Sequence, residues 1–380
     1  MRCSSYSGME EKLTKRINDR KQIATKRFKR VLVGEEEETT YALFVENHIT
    51  TVNDLYDDVW LEIFEFLYIN DIFNSFWNIN NNLNRIIVDR RLKLYANLIR
   101  DESLDYFNLT ILPNIHSQQL ISLKLTNCFE KQMNFNQYIN LQSLTLNSIN
   151  TMQLKLLLIA KHLTHLKYFQ INAIGIFGQD NREIIEQILK IKTLKTCRFN
   201  FGLQKMGLRN ETISAISSNI ENFIIESEFV SNSLFKLIPH LPKLQYLNIY
   251  LREDYRYRSS ITFNSLLNLK TLRLKISRLS FNHLKLLFDS VCSNLQILVL
   301  NGCIVNDLQY LLPQSWINIF KSSIKLKQFK INLKYHAGNS LTIQQINEIS
   351  TNFQHHQQKI RIQHQHLPNG CSDFDLIGEY

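Results

Sequence analysis

Residues 244–249 read LQYLNI, residues 269–274 read LKTLRL and residues 295–300 read LQILVL. All three spell L-x-x-L-x-L with conservative apolar replacements, and the spelling continues outward in both directions. Toward the N-terminus it recurs as Ile220-Phe223-Ile225, Leu194-Cys197-Phe199, Leu166-Phe169-Ile171, Leu141-Leu144-Leu146 and Leu120-Leu123-Leu125. Toward the C-terminus it closes with Leu326-Phe329-Ile331. Successive starts lie 21 to 31 residues apart, the kind of spacing that signals stacked supersecondary units. Alternation along a short strand sends the fourth and sixth positions of the pattern to a core. Between the strands the apolar period changes to that of a helix, as in the stretches starting at Met152, Glu183 and Leu284. Asp180 with Glu183 is a candidate capping box, and Ser231 and Ser280 are candidate caps. One strand and one helix cannot bury their own apolar faces, so the units are expected to stack in an α/β arrangement.

On these residues the region 112–335 resembles the leucine-rich repeat family. The resemblance implies about nine irregular units forming a curved solenoid with a parallel sheet on its concave face. The family's Asn/Cys turn position is matched by Cys128 and Cys303, whereas the other units place Ile149, Ile174, Gly202, Glu228, Arg252, Ser277 and Lys334 there. Cys128, Cys197, Cys292 and Cys303 are expected to be buried packing residues rather than nucleophiles.

Before the repeats, residues 53–88 read NDLYDDVWLEIFEFLYINDIFNSFWNINNNLNRIIV. Val59, Ile63, Phe64 and Leu67 recur at helical spacing behind Asp54 or Asp57 as a cap. Asn70-Asp71 opens a second helix with Ile72, Phe73 and Phe76, and Asn80–Asn82 a third with Leu83, Ile86 and Ile87. Three short helices make a unit that struggles to fold alone. The segment, within residues 51–100, resembles an F-box. Leu55, Val59, Ile63, Phe64 and Leu67 fall on the family's apolar anchors, Asp71-Ile72-Phe73 on its D-L-L step and Ile79 on the residue opening its third helix. Tyr56 stands where the family has Pro, and Leu83 where it often has Trp. The alternative is a helical cap on the first repeat, in a plain protein-binding scaffold.

The formal net charge of +10 is concentrated in the arm, residues 1–50. Residues 1–33 carry ten Lys/Arg against Glu10, Glu11 and Asp19, which is +7 and leaves +3 for the rest. The acidic run Glu35–Glu38 follows, and the arm reads as flexible. Lys15-Arg16 and Lys26 to Arg30 resemble a bipartite nuclear-import signal, with a solvated tail as the equal alternative. Such a balance does not make the folded part a nucleic-acid binder. No apolar run reaches the roughly 18 residues of a membrane span, and no secretory signal opens the chain, so a cytoplasmic or nuclear protein with reduced thiols is expected. Gly-rich phosphate loops and H-E-x-x-H or G-x-S-x-G motifs are absent, so no enzyme, cofactor or metal is expected. His162 and His165 read as exposed at a junction, and the Gln/His-rich stretch around His355, His356, His364 and His366 as part of a C-terminal cap or tail, residues 336–380.

What the F-box/leucine-rich-repeat resemblance implies is a non-catalytic substrate receptor in ubiquitin-dependent degradation. The F-box would dock a Skp-type adaptor and through it a cullin–RING ligase, while the repeats hold a protein substrate near the ubiquitin-charged enzyme. The expected adaptor-docking set is Leu55, Tyr56, Ile63, Phe64, Leu67 and Ile72, some of which must pack the segment itself. The outward strand positions carry five basic residues (Lys124, Arg198, Arg273, Lys275 and Lys330) and the acidic Glu226. That favours an acidic or phosphorylated substrate surface, with Tyr246 and Tyr250 and the following LREDYRYR loop as the densest patch. Neither membrane nor nucleic acid is an expected partner.

Overall fold

In a computed structural model the described residues are 55–127, 138–149, 154, 158, 163–172, 181–201, 217–253, 266–305, 307–322, 325–336, 360–366 and 372–379. The basic arm, the import-like clusters, Asp180, Cys128, Arg256, Arg258, His162, His355 and His356 lie outside them. The chain divides into two compact units, residues 1–125 and 126–380.

In the first unit, three helices of seven or eight residues precede two strands: α1 (Asp57–Phe64), α2 (Ile69–Phe76), α3 (Asn81–Ile87), then β1 (Leu94–Ile99) and β2 (Leu120–Thr126). A short helix, α4 (Asp101–Tyr106), continues into a π-helical turn (Phe107–Ile111) between the strands. Helices this short are marginal by themselves, so packing must hold them. Trp60, Phe64 and Phe76 form a ring cluster with centroids 5.2 to 5.7 Å apart. Phe73 stacks on Trp77 at 4.7 Å. Ile69, Ile72, Leu83, Ile86 and Ile87 fill the space around the rings. Gln119 is buried and ties the far end of the helices down. Its Nε2 donates to the carbonyls of Ile87 and Asp89, both at 2.9 Å, while its Oε1 accepts from the His116 amide. The caps differ from expectation. Tyr56, with no side-chain bond, caps α1, and Tyr68 caps α2, so the aspartates fall inside the first turns. Only Asn80 acts as expected, its Oδ1 accepting from Leu83 N at 2.8 Å.

The second unit is mixed α/β. Its strands are β3 (Ser143–Asn147), β4 (Tyr168–Asn172), β5 (Thr196–Asn200), β6 (Asn222–Val230), β7 (Tyr246–Arg252), β8 (Thr271–Ser277), β9 (Ile297–Val305) and β10 (Gln328–His336). They lie side by side in chain order, each parallel to the last. Described crossover helices are α5 (Asn181–Leu189), α6 (Ser231–Leu237), α7 (Phe281–Val291) and α8 (Pro313–Ser322). Pairing is in phase with the pattern, for Leu144, Phe169, Cys197, Phe223, Leu247, Leu272, Leu298 and Phe329 each face the next in register. Every residue of the nine L-x-x-L-x-L sets is buried except Leu326. Each such side chain contributes about 1.5–3 kcal/mol relative to leaving it in water.

A backbone device repeats with the same phase. At each strand entry one carbonyl of the preceding strand's lead-in accepts two successive amides. Gln142 takes Lys167 and Tyr168, Lys167 takes Lys195 and Thr196, and the ladder runs on to Gln296, which takes Lys327 and Gln328. Register is thereby fixed before the strand begins. β6 departs from it, with an irregularity between Ile225 and Glu228 opposite β7.

Ser231 is not a cap. It is the first residue of α6, fully buried, with Val230 at the N-cap. Ser280 does precede α7, but carboxylates from neighbouring segments serve its amides: Glu253 Oε2 accepts from Ser280 N and Asp307 Oδ2 from Phe281 N, both at 2.6 Å. Phe281, Tyr310 and Trp316 pack edge-on, and Trp316 Nε1 donates to the Tyr310 carbonyl. Cys197 is buried as expected, which pushes its thiol pKa well up, but Cys303 is exposed. It sits on β9 one residue past Gly302, pointing away from the buried side.

After β10 the polarity reverses. β11 (Ile360–His366) and β12 (Ser372–Glu379) form an antiparallel pair, and β12 lies antiparallel against β10. His364 and His366 therefore fall on a strand.

Candidate functional site

Two surfaces stand out, one on each unit. On α1, Trp60 and Phe64 are four residues apart and face the ring cluster, while Tyr56, Val59 and Ile63 share a neighbouring arc of about 60°. That second stripe is open, with Tyr56 83 % and Val59 39 % exposed; on the same unit the loop residues Phe66 and Ile79 are 42 % and 61 % exposed. Leu55, Ile63 and Leu67 are half-buried. Phe64 and Ile72 have no exposed surface, which corrects their place in the expected docking set: they hold the unit together. Val59, Phe66 and Ile79 belong on the open surface instead. The helical arc through Tyr56 would have picked out Val59, whereas nothing in the spacing marks Phe66.

Ion pairs fringe the stripe. Asp57 meets Arg85 at 2.7 Å, and Arg91 meets Asp58 at 3.1 Å and Asp89 at 2.9 Å. The Arg91 hydrogen bonds hold the Asp89 carboxyl below its ordinary value. Exposed pairs of this kind add little stability.

The second surface is the half-exposed face of the parallel sheet. Its β3–β6 part is internally paired. Asn172 Nδ2 donates to Asn147 Oδ1 at 2.7 Å, Asn222 Nδ2 to Thr196 Oγ1 at 3.2 Å, and Tyr168 Oη to Gln170 Oε1 at 2.5 Å. Arg198, expected as an open cation, forms an ion pair with Glu226 through both Nε and Nη2. Arg252 pairs with Glu228 at 3.0 Å. Glu228 was legible only as a turn position; the irregularity in β6 brings it opposite Tyr250.

On β7 and β8 the cations meet rings instead. Arg273 Cζ lies 6.0 Å from the Tyr246 ring centroid, and Lys275 Nζ lies 4.4 Å from that of Tyr250. Partial burial and the Glu228 carboxylate raise the Tyr250 phenol above its ordinary value against a bond with Ser277, so it stays neutral. Lys124 on β2 and Lys330 on β10 are exposed, and Lys330 stands opposite Glu379 in register.

One further group has a chemical look. His283 Nδ1 lies 2.9 Å from Glu253 Oε1 and 3.0 Å from Ser280 Oγ. Both contacts use the same ring nitrogen, whereas a serine–histidine–acid relay needs one on each side of the ring. Among the described residues no three His, Cys, Asp or Glu side chains group to hold a metal ion, and no helix is long and apolar enough to cross a membrane. No protein-family model matches the chain, and no curated protein matches it either.

Proposed function

We propose that the chain is a non-catalytic substrate receptor of a Skp–cullin–F-box type ubiquitin ligase. The helical segment docks the adaptor and a leucine-rich-repeat solenoid binds a protein substrate. The observation that carries this reading is the open apolar stripe of Tyr56, Val59 and Ile63, with Phe66 and Ile79 also exposed, on a helical segment whose own core is already filled by Trp60, Phe64 and Phe76. Apolar surface left over after a small core is complete is what an adaptor would cover. The in-phase parallel strands support the solenoid, since a strand pattern that pairs with its own copy at every step is how stacked units build one core. No reacting group is required of such a receptor, because holding a substrate lysine close to a charged conjugating enzyme raises its effective concentration.

Size-exclusion chromatography of the purified chain with a Skp-type adaptor tests this. Co-elution is expected, and Tyr56→Asp/Val59→Asp/Ile79→Asp should abolish it in a protein that still unfolds cooperatively. A folded wild type that never co-elutes would overturn the reading and leave the helical segment a cap on a binding scaffold.

A further inference from the structure

The polar face of the sheet divides into a closed part and an open part. From β3 to β6 its hydrogen-bonding capacity is used internally, amide on amide and guanidinium on carboxylate. On β7 it is used in part, Arg252 pairing with Glu228 and Tyr250 bonding Ser277, but the two cations of β8 are left unpaired by any described carboxylate. Arg273 and Lys275 form no ion pair with any described carboxylate; their contacts are the faces of Tyr246 and Tyr250. A ring face steadies a cation without neutralising it, so both charges remain available to a ligand. Asn248 and Asn301 flank them, in register with Arg273 and Lys275 respectively, and neither side chain forms a hydrogen bond among the described residues.

We propose that this face of β7–β9 is an anion site that takes a phosphorylated segment of a protein partner, with Arg273 and Lys275 on the phosphate and Asn248 and Asn301 as neutral donors beside it. Alternation puts Arg273 and Lys275 on the same side of one strand, about 7 Å apart along the backbone, within reach of a single phosphate from their long stems. The guanidinium offers a two-pronged fork and the ammonium a point charge, which together suit a dianion with three terminal oxygens. A lone carboxylate has only two oxygens for these donors. The tyrosines limit the rotamer freedom of both cations, so less entropy is lost on binding. This deepens the receptor reading and rests on it for the sheet face being where substrate sits.

The test uses the full chain and pooled fluorescent peptides of random sequence around a fixed phosphoserine, with matched pools carrying Ser or Glu there. Anisotropy should show tightest binding to the phosphoserine pool. Arg273→Gln/Lys275→Gln should weaken it at least tenfold and Tyr250→Leu several-fold, with Tyr250→Phe and Arg198→Gln within twofold of wild type. Equal binding of the Ser or Glu pool, or an unchanged affinity in the double variant, would overturn the proposal. Adaptor co-elution of the same double variant is read separately. Retention there with lost phosphopeptide binding supports the site; loss of adaptor binding in a folded double variant would overturn the assignment of Arg273 and Lys275 to substrate rather than to adaptor.

Discussion

Glu253 Oε1 lies 2.9 Å from His283 Nδ1 while Glu253 Oε2 accepts the Ser280 amide, so one carboxylate joins the end of β7 to the start of α7. Burial alone would raise the Glu253 pKa, but hydrogen bonds from His283 and Ser280 outweigh it and hold the carboxyl below its ordinary 4.5. A depressed carboxylate contributes stability above its unfolded value that is lost as pH falls through the folded one. Urea unfolding midpoints should therefore drop between pH 5 and pH 3, and Glu253→Gln should remove part of that drop while costing about 1–3 kcal/mol at pH 7.

The two stripes of α1 should separate under mutation. Phe64→Ala empties the ring cluster and is expected to cost about 3–5 kcal/mol, read by chemical denaturation. Tyr56→Asp changes an open side chain and should stay within about 0.5 kcal/mol of wild type while impairing adaptor binding. Equal destabilisation by both would mean that Tyr56 is covered by the chain itself.

Gly302 has φ +145°, and a Cβ added there would lie 2.0 Å from the Ile276 carbonyl oxygen. That oxygen belongs to the paired strand β8 and cannot move without breaking the ladder. Gly302→Ala should therefore cost about 2–4 kcal/mol, with a lower melting temperature in calorimetry. A neutral outcome would show that β8 and β9 are not held at this spacing.

Arg198 and Glu226 are each largely shielded, at 18 % and 16 % side-chain exposure. Removing one partner strands the other, so Arg198→Met and Glu226→Gln should each destabilise, and the double variant by less than their sum. A double-mutant cycle with no coupling would make the pair incidental.

The strands were readable because their signal is covalent spacing. A leucine at the first, fourth and sixth position, again and again, can satisfy burial only as an in-register strand, and the observed β3 to β10 start where Ser143, Tyr168, Thr196, Asn222, Tyr246, Thr271, Ile297 and Gln328 place them. The site was less legible because exposure is a property of the neighbours. Phe64 and Val59 look alike in a helical pattern, yet the rings of Trp60 and Phe76 cover only the first. Arg198 and Arg273 occupy equivalent outward positions, and only the Glu226 side chain distinguishes a spent cation from an available one. The caps of α1 and α2 differ from the sequence expectation because Asp57 and Asp71 also suit the first turn, where helix dipole and carboxylate attract without a capping bond.

β12 runs against β10 with Lys330 opposite Glu379, Lys334 opposite Asp375 and His336 opposite Asp373. A one-residue slip of this register would turn every side chain of the strand to the other face. Reversed polarity also ends growth: a parallel unit cannot add where an antiparallel strand already fills the donors and acceptors of β10. Trimming the protein before Ser372 would bare that edge along seven consecutive residues, Lys330 to His336, and turn β10 into a template for joining chains.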